Sequence, residues 1–234
     1  LIAFRYLRSR KKEGFLKIIS IFSFTGISLG VAILIIVMSV MNGFRAELID
    51  KILGFNPHIV VKPYEKKISN SDLNKLDSLS KKISKFVFSL NGEGILINKE
   101  NTKGILVRGY SKNDLKKIDL LKSNIIDGSL EEFEKKTMSI GKELAISLNL
   151  INGDQVTLMS TSSVQTIIGN LPVQESFIIT SIFSSGLVEF DQSVVFISLE
   201  DAIPLFVASE KDIFLEIFLK NPEKVELLKN KIQK

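Results

Sequence analysis

The 27 residues from Ile18 to Phe44 read IISIFSFTGISLGVAILIIVMSVMNGF and contain no charged side chain. They are bounded by Lys17 and Arg45. An α-helix rises 1.5 Å per residue, so this stretch can extend about 40 Å, which exceeds the roughly 30 Å of a bilayer's hydrocarbon core. We therefore predict one tilted transmembrane helix at 18–44.

The residues before this helix carry the net charge of the whole chain. Residues 1–17 contain six Lys and Arg side chains and one Glu, which is a net charge of +5, and the complete chain also has +5. A basic segment beside a membrane helix stays in the cytoplasm and faces the anionic inner leaflet. The sequence thus predicts a basic cytoplasmic tail at 1–17, with everything after Phe44 on the other side of the membrane. Because the remainder is neutral overall, we expect no nucleic-acid binding.

A cleaved secretory signal is the alternative interpretation of a basic tail followed by apolar residues. Its apolar region spans about 7–15 residues and ends at a small-x-small cleavage site. The apolar stretch here is much longer, and the residues at 41–45, Met-Asn-Gly-Phe-Arg, contain no such site. Both differences favour an uncleaved anchor.

Beyond the membrane stretch the chain is organised as a stalk followed by a large domain. Gly54 and Pro57 are typical of a helix end. We predict a stalk helix at 45–56 and a periplasmic domain at 57–234, which has no Cys and therefore no disulfide. Apolar residues continue at helical spacing through the stalk, at Phe44, Leu48, Ile49, Ile52 and Leu53.

Helical and extended patterns alternate over the predicted domain, which indicates an α+β fold with two lobes. An apolar stripe predicts a helix from Asp72 to Phe86, and Asn91-Gly92 predicts a turn between two strands. The stretch 160–174 begins with polar Ser and Thr residues, so we predict a long loop there with apolar residues at its tip.

The residues that carry most enzyme chemistry are sparse in this chain. His58 is the only histidine, so a metal site or a catalytic triad has too few ligands and bases. No P-loop motif occurs. Glu189 and Asp191 would share one face of a strand, yet no third polar partner accompanies this carboxylate pair. We predict no enzymatic activity, no metal and no cofactor in this chain.

Several short motifs are spread along the whole chain, and Met38-Ser39-Val40-Met41-Asn42-Gly43-Phe44 is the most specific. Together they closely resemble the lipoprotein-releasing permease family, LolC and LolE, of the MacB/FtsX superfamily. The other motifs are Arg5-Tyr6 with Arg8, Gly26 to Val31, Glu47-Leu48, Ile52-Leu53-Gly54, Arg108-Gly109-Tyr110, Gly141 to Leu150, Gly153-Asp154 and Phe183 to Asp191.

This resemblance implies a permease subunit of an ABC transporter in the bacterial inner membrane. Such subunits have four membrane helices and a periplasmic domain with a MacB-like core between the first two, so further membrane helices are expected beyond residue 234. The implied partners are a cytoplasmic ATPase subunit, a second permease subunit in a homo- or heterodimer, a lipoprotein substrate and a periplasmic lipoprotein chaperone.

The resemblance also implies a chaperone-docking hook at 160–174, as in LolC-type subunits. Pro172 lowers the entropy of ordering such a segment, and its apolar tip offers a surface that a partner can cover. The alternative is an ordinary hairpin loop folded back on its own domain. The apex lacks the proline that LolC-type loops often have before the glycine. The implied hook residues are Ile167, Ile168, Gly169, Asn170, Leu171, Pro172, Val173 and Gln174.

Two further sets of residues lie on the membrane helix. By resemblance, its outer half lines the cavity that holds lipoprotein acyl chains, and simple contact with bilayer lipid is the alternative. Gly26 and Gly30 form a small-xxx-small face that permits close helix packing. The implied cavity residues are Val37, Met38, Met41 and Phe44.

Two other functions stay open at this point. A related MacB/FtsX-like subunit transmits motion to a periplasmic hydrolase or an efflux partner without moving a substrate. A single-span extracytoplasmic sensor would have the same kind of anchor and external domain.

Overall fold

The structure is a computed structural model that describes residues 14–63, 68, 82–167, 169–221, 225, 226 and 229. The chain divides into two units. Leu1–Asp50 is the helical unit and Lys51–Lys234 is the body. Each unit is described by itself below.

The helical unit contains most of one long helix. This helix, α1, spans the 42 residues Gly14–Phe55, so the predicted transmembrane and stalk segments belong to a single helix. Within it, the 33 residues Lys17–Ile49 are apolar on average and long enough to cross a bilayer. Apart from the half-buried Leu48, the apolar side chains described in this segment are exposed, as expected of a helix whose partners are lipid or other helices.

The body combines strands and short helices. Its strands are β1 Ile59–Val61, β2 Ile83–Asn98, β3 Asn101–Tyr110, β4 Ile125–Gly128, β5 Thr137–Gly141, β6 Gln155–Thr166, β7 Gly169–Phe183, β8 Val194–Ser198 and β9 Phe214–Leu219. Its helices are α2 Lys112–Leu115, α3 Asp119–Ser123, α4 Lys142–Leu148, α5 Val188–Ser193 and α6 Leu199–Leu205, with 3₁₀ turns at Leu130–Glu132 and Glu210–Asp212.

Strand pairing closes six of these strands into a ring, called the strand ring below. β2 pairs with β3 and β6, β6 with β7, β7 with β5, β5 with β8, and β8 with β3. The β3–β8 and β5–β7 pairs are parallel and the other four are antiparallel. Closure leaves these strands without an open edge where they meet. β9 and β1 continue the sheet beside the first half of β2, and β4 pairs with the end of β7.

The main hydrophobic core belongs to the strand ring. Each ring strand contributes two buried residues of the same parity, as expected when successive side chains of a strand point to opposite faces. β7 adds a third, Ile182, which follows a register shift in its pairing with β5. Side chains of α4 and α6 join the same cluster. The strand residues are Leu90, Leu96, Ile105, Val107, Met138, Ile140, Val156, Leu158, Phe177, Ile179, Ile182, Val195 and Ile197.

A second core lies on the other face of β3 and β8. It contains Phe55, the last residue of α1, whose ring centroid lies 4.9 Å from that of Phe190 on α5 and 6.4 Å from that of Phe183. Aromatic pairs at these distances stabilise beyond their buried area. The end of α1 is therefore packed into the body.

β2 contradicts two of the predictions. It runs unbroken from Ile83 to Asn98, so the predicted helix at 72–86 is wrong at its end, and its residues up to 81 lie outside those described. The predicted turn at Asn91-Gly92 is also wrong. A Cβ on Gly92 would collide with the Phe206 ring, and a Cβ on Gly94 would lie 2.8 Å from the Met159 carbonyl oxygen. Both glycines allow close approach of a neighbouring group and do not turn the chain.

Candidate functional site

The hairpin of β6 and β7 extends beyond the strand ring. The last pair between β6 and β2 joins Ser160 to Gly94, and the pairing of β7 with β5 begins at Ile178. Among the described residues of 161–177, the two strands pair only with each other. The stretch 160–174, predicted as a long loop, is therefore a two-stranded ribbon.

One face of this hairpin is apolar. Val164 pairs with Leu171, and both side chains are exposed. Because side chains alternate along a strand, Val173 shares their face, and it packs half-buried against the main core. The paired residues Ser163 and Pro172 lie on the opposite face. Val164, Leu171 and Val173 form what we call the apolar hairpin face.

The tip of the hairpin is closed by Thr166 and Gly169. The Thr166 hydroxyl donates a hydrogen bond of 2.7 Å to the Gly169 carbonyl oxygen. Gly169 has φ +119°, a conformation that residues with a side chain rarely adopt, so glycine is required there. Between them, Ile167 is fully exposed, whereas Ile168 lies outside the described residues.

The base of the hairpin is held by polar contacts. The Thr161 hydroxyl donates to the Glu93 carbonyl oxygen on β2 over 3.2 Å. Lys136, just before β5, forms an ion pair of 2.6 Å with Glu175 on β7. These contacts fix the base on the strand ring and leave the tip exposed, which is a suitable arrangement for a protruding recognition element.

The structure brings the predicted hook residues together. Seven of the eight lie on the hairpin between its tip and Gln174, which pairs with Met159 at the base, and the eighth, Ile168, lies outside the described residues. The set predicted from the sequence omitted Val164. Apolar residues at matching positions on either side of a glycine turn were the signal that could have found it. The chaperone-binding role of these residues stays a prediction.

The predicted membrane-helix residues lie on α1 within the helical unit. Val37, Met38, Met41 and Phe44 are all exposed, and their spacing places them along one side of the helix. A Cβ added to Gly26 or Gly30 would meet no atom within 4 Å, so the surface at these glycines is open. The lipid-cavity and helix-packing roles stay predictions.

A buried polar network in the body is centred on Glu216 of β9. Its fully buried carboxylate accepts hydrogen bonds of 2.7 Å from the Ser89 and Tyr110 hydroxyls. Arg108 Nη2 lies 3.3 Å from the same carboxylate, and Arg108 Nη1 donates over 2.8 Å to the carbonyl oxygen of Phe55. The network thus joins β2, β3 and β9 to the last residue of α1.

Each charge in this network is compensated by a partner. Arg108 is 8% exposed and Glu216 is 0% exposed, and a buried charge without a partner would be costly. Burial raises the pKa of the Tyr110 phenol well above its usual value, and the Glu216 carboxylate raises it further. Tyr110 is therefore a neutral hydrogen-bond donor at ordinary pH.

A cavity of about 730 Å³ lies beside this network. It is lined by residues of β2, β3, β8 and α5 and by the end of α1. Its apolar lining consists of Ile52, Leu106, Val107, Leu187, Phe190 and Val194. Its polar lining consists of Asn56, Asn91, Glu93, Arg108, Glu189 and Ser193. This volume is in the range of pockets that bind small molecules.

The three side chains considered for catalysis are those of His58, Glu189 and Asp191. His58 Nδ1 accepts a hydrogen bond of 3.2 Å from the Leu219 amide, and burial lowers the pKa of its imidazole. Glu189 and Asp191 lie on helix α5 and not on a strand, so they do not share a strand face. Asp191 is buried and accepts from the Ser185 amide at 2.9 Å, whereas Glu189 is exposed. Among the described residues, no group of His, Asp and Glu side chains could hold a metal ion.

Comparison with known proteins places this architecture in a family. Residues 20–234 match the MacB-like periplasmic core domain. The chain is 28% identical over 203 residues to the lipoprotein-releasing system transmembrane protein LolC of Xylella fastidiosa strain Temecula1, covering 86% of this chain and 49% of that protein. It is 29% identical over 168 residues to the corresponding LolE protein of Haemophilus influenzae, covering 68% of this chain and 39% of that protein.

A solved structure is also similar. The periplasmic region of MacB from Actinobacillus actinomycetemcomitans matches with a TM-score of 0.44 and 12% identity, over 79% of this chain and 88% of that one. The chain spans about half the length of the curated relatives it matches. The predicted α+β class with a MacB-like core is confirmed by the family match. This chain belongs to the MacB-like periplasmic core domain family, and its sequence relatives are the lipoprotein-releasing proteins LolC and LolE.

Proposed function

We propose that this chain is part of a permease subunit that extracts lipoproteins from the bacterial inner membrane and transfers them to a periplasmic chaperone. The observation that carries this proposal is the similarity to LolC proteins over most of the chain, together with an exposed hairpin at the predicted hook. The subunit works with a separate cytoplasmic ATPase and with a second permease subunit, identical or different.

In this proposal the membrane segment Lys17–Ile49 crosses the inner membrane with its N-terminus in the cytoplasm. The basic residues of 1–17 support this orientation, because positive charge is retained on the cytoplasmic side. The body is then periplasmic. Protease added from the periplasmic side should digest the body, and digestion only from the cytoplasmic side would refute the orientation.

The helix residues Val37, Met38, Met41 and Phe44 would contact lipoprotein acyl chains. Exposed apolar side chains support this role, and the flexible Met side chains adapt to different lipid shapes. Gly26 and Gly30 would pack against another membrane helix. Movement driven by the ATPase would tilt α1 and close the periplasmic domains on the substrate.

The apolar hairpin face is the surface on which the chaperone docks. Its side chains Val164 and Leu171, with Ile167 at the tip, are exposed in this chain and would be covered by the partner. A paired ribbon with a glycine turn loses little conformational freedom on binding, so docking is not penalised by ordering a loose loop.

Site-specific photo-crosslinking tests the docking surface. A photoreactive residue at Leu171 or Val173 of the intact subunit should capture the lipoprotein chaperone. The matched control is Ile146, which is apolar and more exposed than either hairpin position but lies on α4. Failure to capture the chaperone from both hairpin positions, or equal capture from Ile146, would remove the docking role.

Two variants measure the contribution of the hairpin. Pro172→Gly should weaken chaperone binding two- to fivefold, because about 0.4–1 kcal/mol of backbone entropy is added to the free hairpin. Replacing Thr161–Val173 by a short glycine turn should abolish lipoprotein release. If release continues while ATPase activity is normal, the subunit transmits motion to a hydrolase or efflux partner and does not transport lipoproteins.

A further inference from the structure

The cavity beside α5 presents hydrogen-bond acceptors from its two asparagines. Asn56 Nδ2 donates to the Ile52 carbonyl oxygen at 3.1 Å. Asn91 Nδ2 donates to Glu216 Oε1 at 3.2 Å. Each amide nitrogen has two N–H donors and uses at least one of them within the protein, and each side-chain oxygen remains an acceptor for a ligand.

The Ser193 hydroxyl and two nitrogens of the Arg108 guanidinium also donate within the protein. The Ser193 hydroxyl donates over 2.6 Å to the Glu189 carbonyl oxygen, so its oxygen lone pairs remain as acceptors. Arg108 directs one nitrogen at the Phe55 carbonyl oxygen and another at Glu216. The positive charge that lines the cavity is thus already neutralised by a buried carboxylate.

Two carboxylates complete the lining. The side chains of Glu93 on β2 and Glu189 on α5 are exposed, and the described part of the chain supplies no hydrogen bond or ion pair to either carboxylate. With Arg108 neutralised by Glu216, the charge available to a ligand is negative. A bound anion would be repelled, whereas a cation would find two partners.

The remaining lining is apolar and open to solvent in places. Ile52 is 46% exposed and Leu106 is 47% exposed, although both lie in a concave surface. Apolar side chains left open within a cavity of about 730 Å³ favour a ligand that covers them.

We propose that this cavity binds a small organic cation, with an apolar body against Leu106 and Phe190 and one ammonium group between Glu93 and Glu189. The ammonium donates hydrogen bonds to the carboxylates and to the asparagine oxygens. The apolar body displaces water from the exposed Ile52 and Leu106 side chains. The side chains of this site lie outside the hairpin, although the Glu93 carbonyl oxygen contacts the hairpin base, and the site does not depend on the lipoprotein-releasing function.

Binding of 4-phenylbutylammonium to the full chain in phosphatidylcholine nanodiscs tests the site. Isothermal titration calorimetry is corrected with empty nanodiscs, and 4-phenylbutanol and 4-phenylbutanoate serve as probes of equal length. The ammonium should bind at least tenfold more tightly than the carboxylate, with the alcohol between them. Raising the salt concentration should weaken binding of the ammonium and leave binding of the alcohol unchanged, because exposed charges are screened.

Variants test the carboxylates and the apolar lining of the site separately. Glu93→Gln combined with Glu189→Gln should weaken ammonium binding at least fivefold and leave alcohol binding within twofold. Glu132→Gln, an exposed carboxylate outside the cavity, should change neither. Leu106→Trp should fill the cavity and abolish both. Heats of ammonium injection equal to those of empty nanodiscs would refute the site, and so would 4-phenylbutanoate binding as tightly as the ammonium. The site is also refuted if the double variant has the wild-type melting temperature and binds the ammonium as tightly as the wild type.

Discussion

Separating the buried charges of Arg108 and Glu216 should destabilise the body strongly. Arg108→Met removes the cation and leaves the fully buried Glu216 carboxylate with neutral donors only, and it also leaves the Phe55 carbonyl oxygen without its hydrogen bond. Breaking a buried pair in this way costs about 3–5 kcal/mol. Glu216→Met leaves Arg108 as the uncompensated charge and should cost a similar amount.

The double variant should lose less than the sum of the two single changes, which is about 8 kcal/mol at the middle of the range. With both charges gone, the remaining cost comes from the Tyr110 and Ser89 hydroxyls, which each lose an acceptor 2.7 Å away, and from the Phe55 carbonyl oxygen, which loses its donor. Unmade hydrogen bonds of buried groups cost about 1–3 kcal/mol each, so the three groups together cost about 6 kcal/mol at the middle of that range. The coupling energy of the pair is then about 2 kcal/mol.

Urea denaturation of the full chain in a neutral detergent measures these differences. The chain has no Trp and three Tyr, so the near-ultraviolet circular dichroism of tyrosine reports on the environment of buried Tyr110. The dependence on urea should be unchanged among the variants, so that midpoints convert to free energies of unfolding. Single variants that cost less than about 1 kcal/mol, or a double variant equal to their sum, would show that the pair is effectively solvated.

Three other changes test separate features of the body. Val207→Gly should raise the free energy of unfolding by about 0.5–1 kcal/mol in thermal melts, because the exposed Val207 after α6 has φ +51°. Gly141→Ala should lower it by about 1–3 kcal/mol, since a Cβ there collides with the Asp191 carbonyl oxygen. Above pH about 10, wild-type stability should fall by up to about 1.4 kcal/mol per pH unit relative to Tyr110→Phe. The raised pKa of the Tyr110 phenol keeps it protonated in the folded state while the unfolded state ionises.

Local patterns account for what the sequence predicted correctly. The uncharged stretch at 18–44 lies within α1, because a continuous apolar run specifies a helix without help from distant residues. The fold class follows from the alternation of such elements.

Contacts between distant segments account for the errors. In the sequence, Gly92 and Gly94 are typical of a turn. In the structure each makes room for a group that is distant in the chain: the Phe206 ring at Gly92 and the Met159 backbone at Gly94. The stretch 160–174 was predicted as a loop because its sequence lacks a clear alternation of apolar and polar residues. That alternation arises when one face of a strand is buried in a core, and neither face of the outer hairpin is buried in this way.

The polar network could not be predicted for the same reason. Arg108 and Glu216 are 108 positions apart, and no local pattern relates them. Glu216 also lies between the buried Leu215 and Ile217, where a charged residue would ordinarily be taken as the solvent-facing position of a strand.

The length of β6 and β7 has a consequence for how force travels through the body. β7 continues from the hairpin tip into the strand ring, where it is bonded to β5, and β6 continues across a register shift between Met159 and Ser163 to its pairing with β2. A pull on the tip along the strands would load these rows of hydrogen bonds in shear, so that many must break together. The register shift interrupts the pairing of the two strands at the hairpin base, so the outer hairpin can change its angle there while both strands remain bonded to the ring.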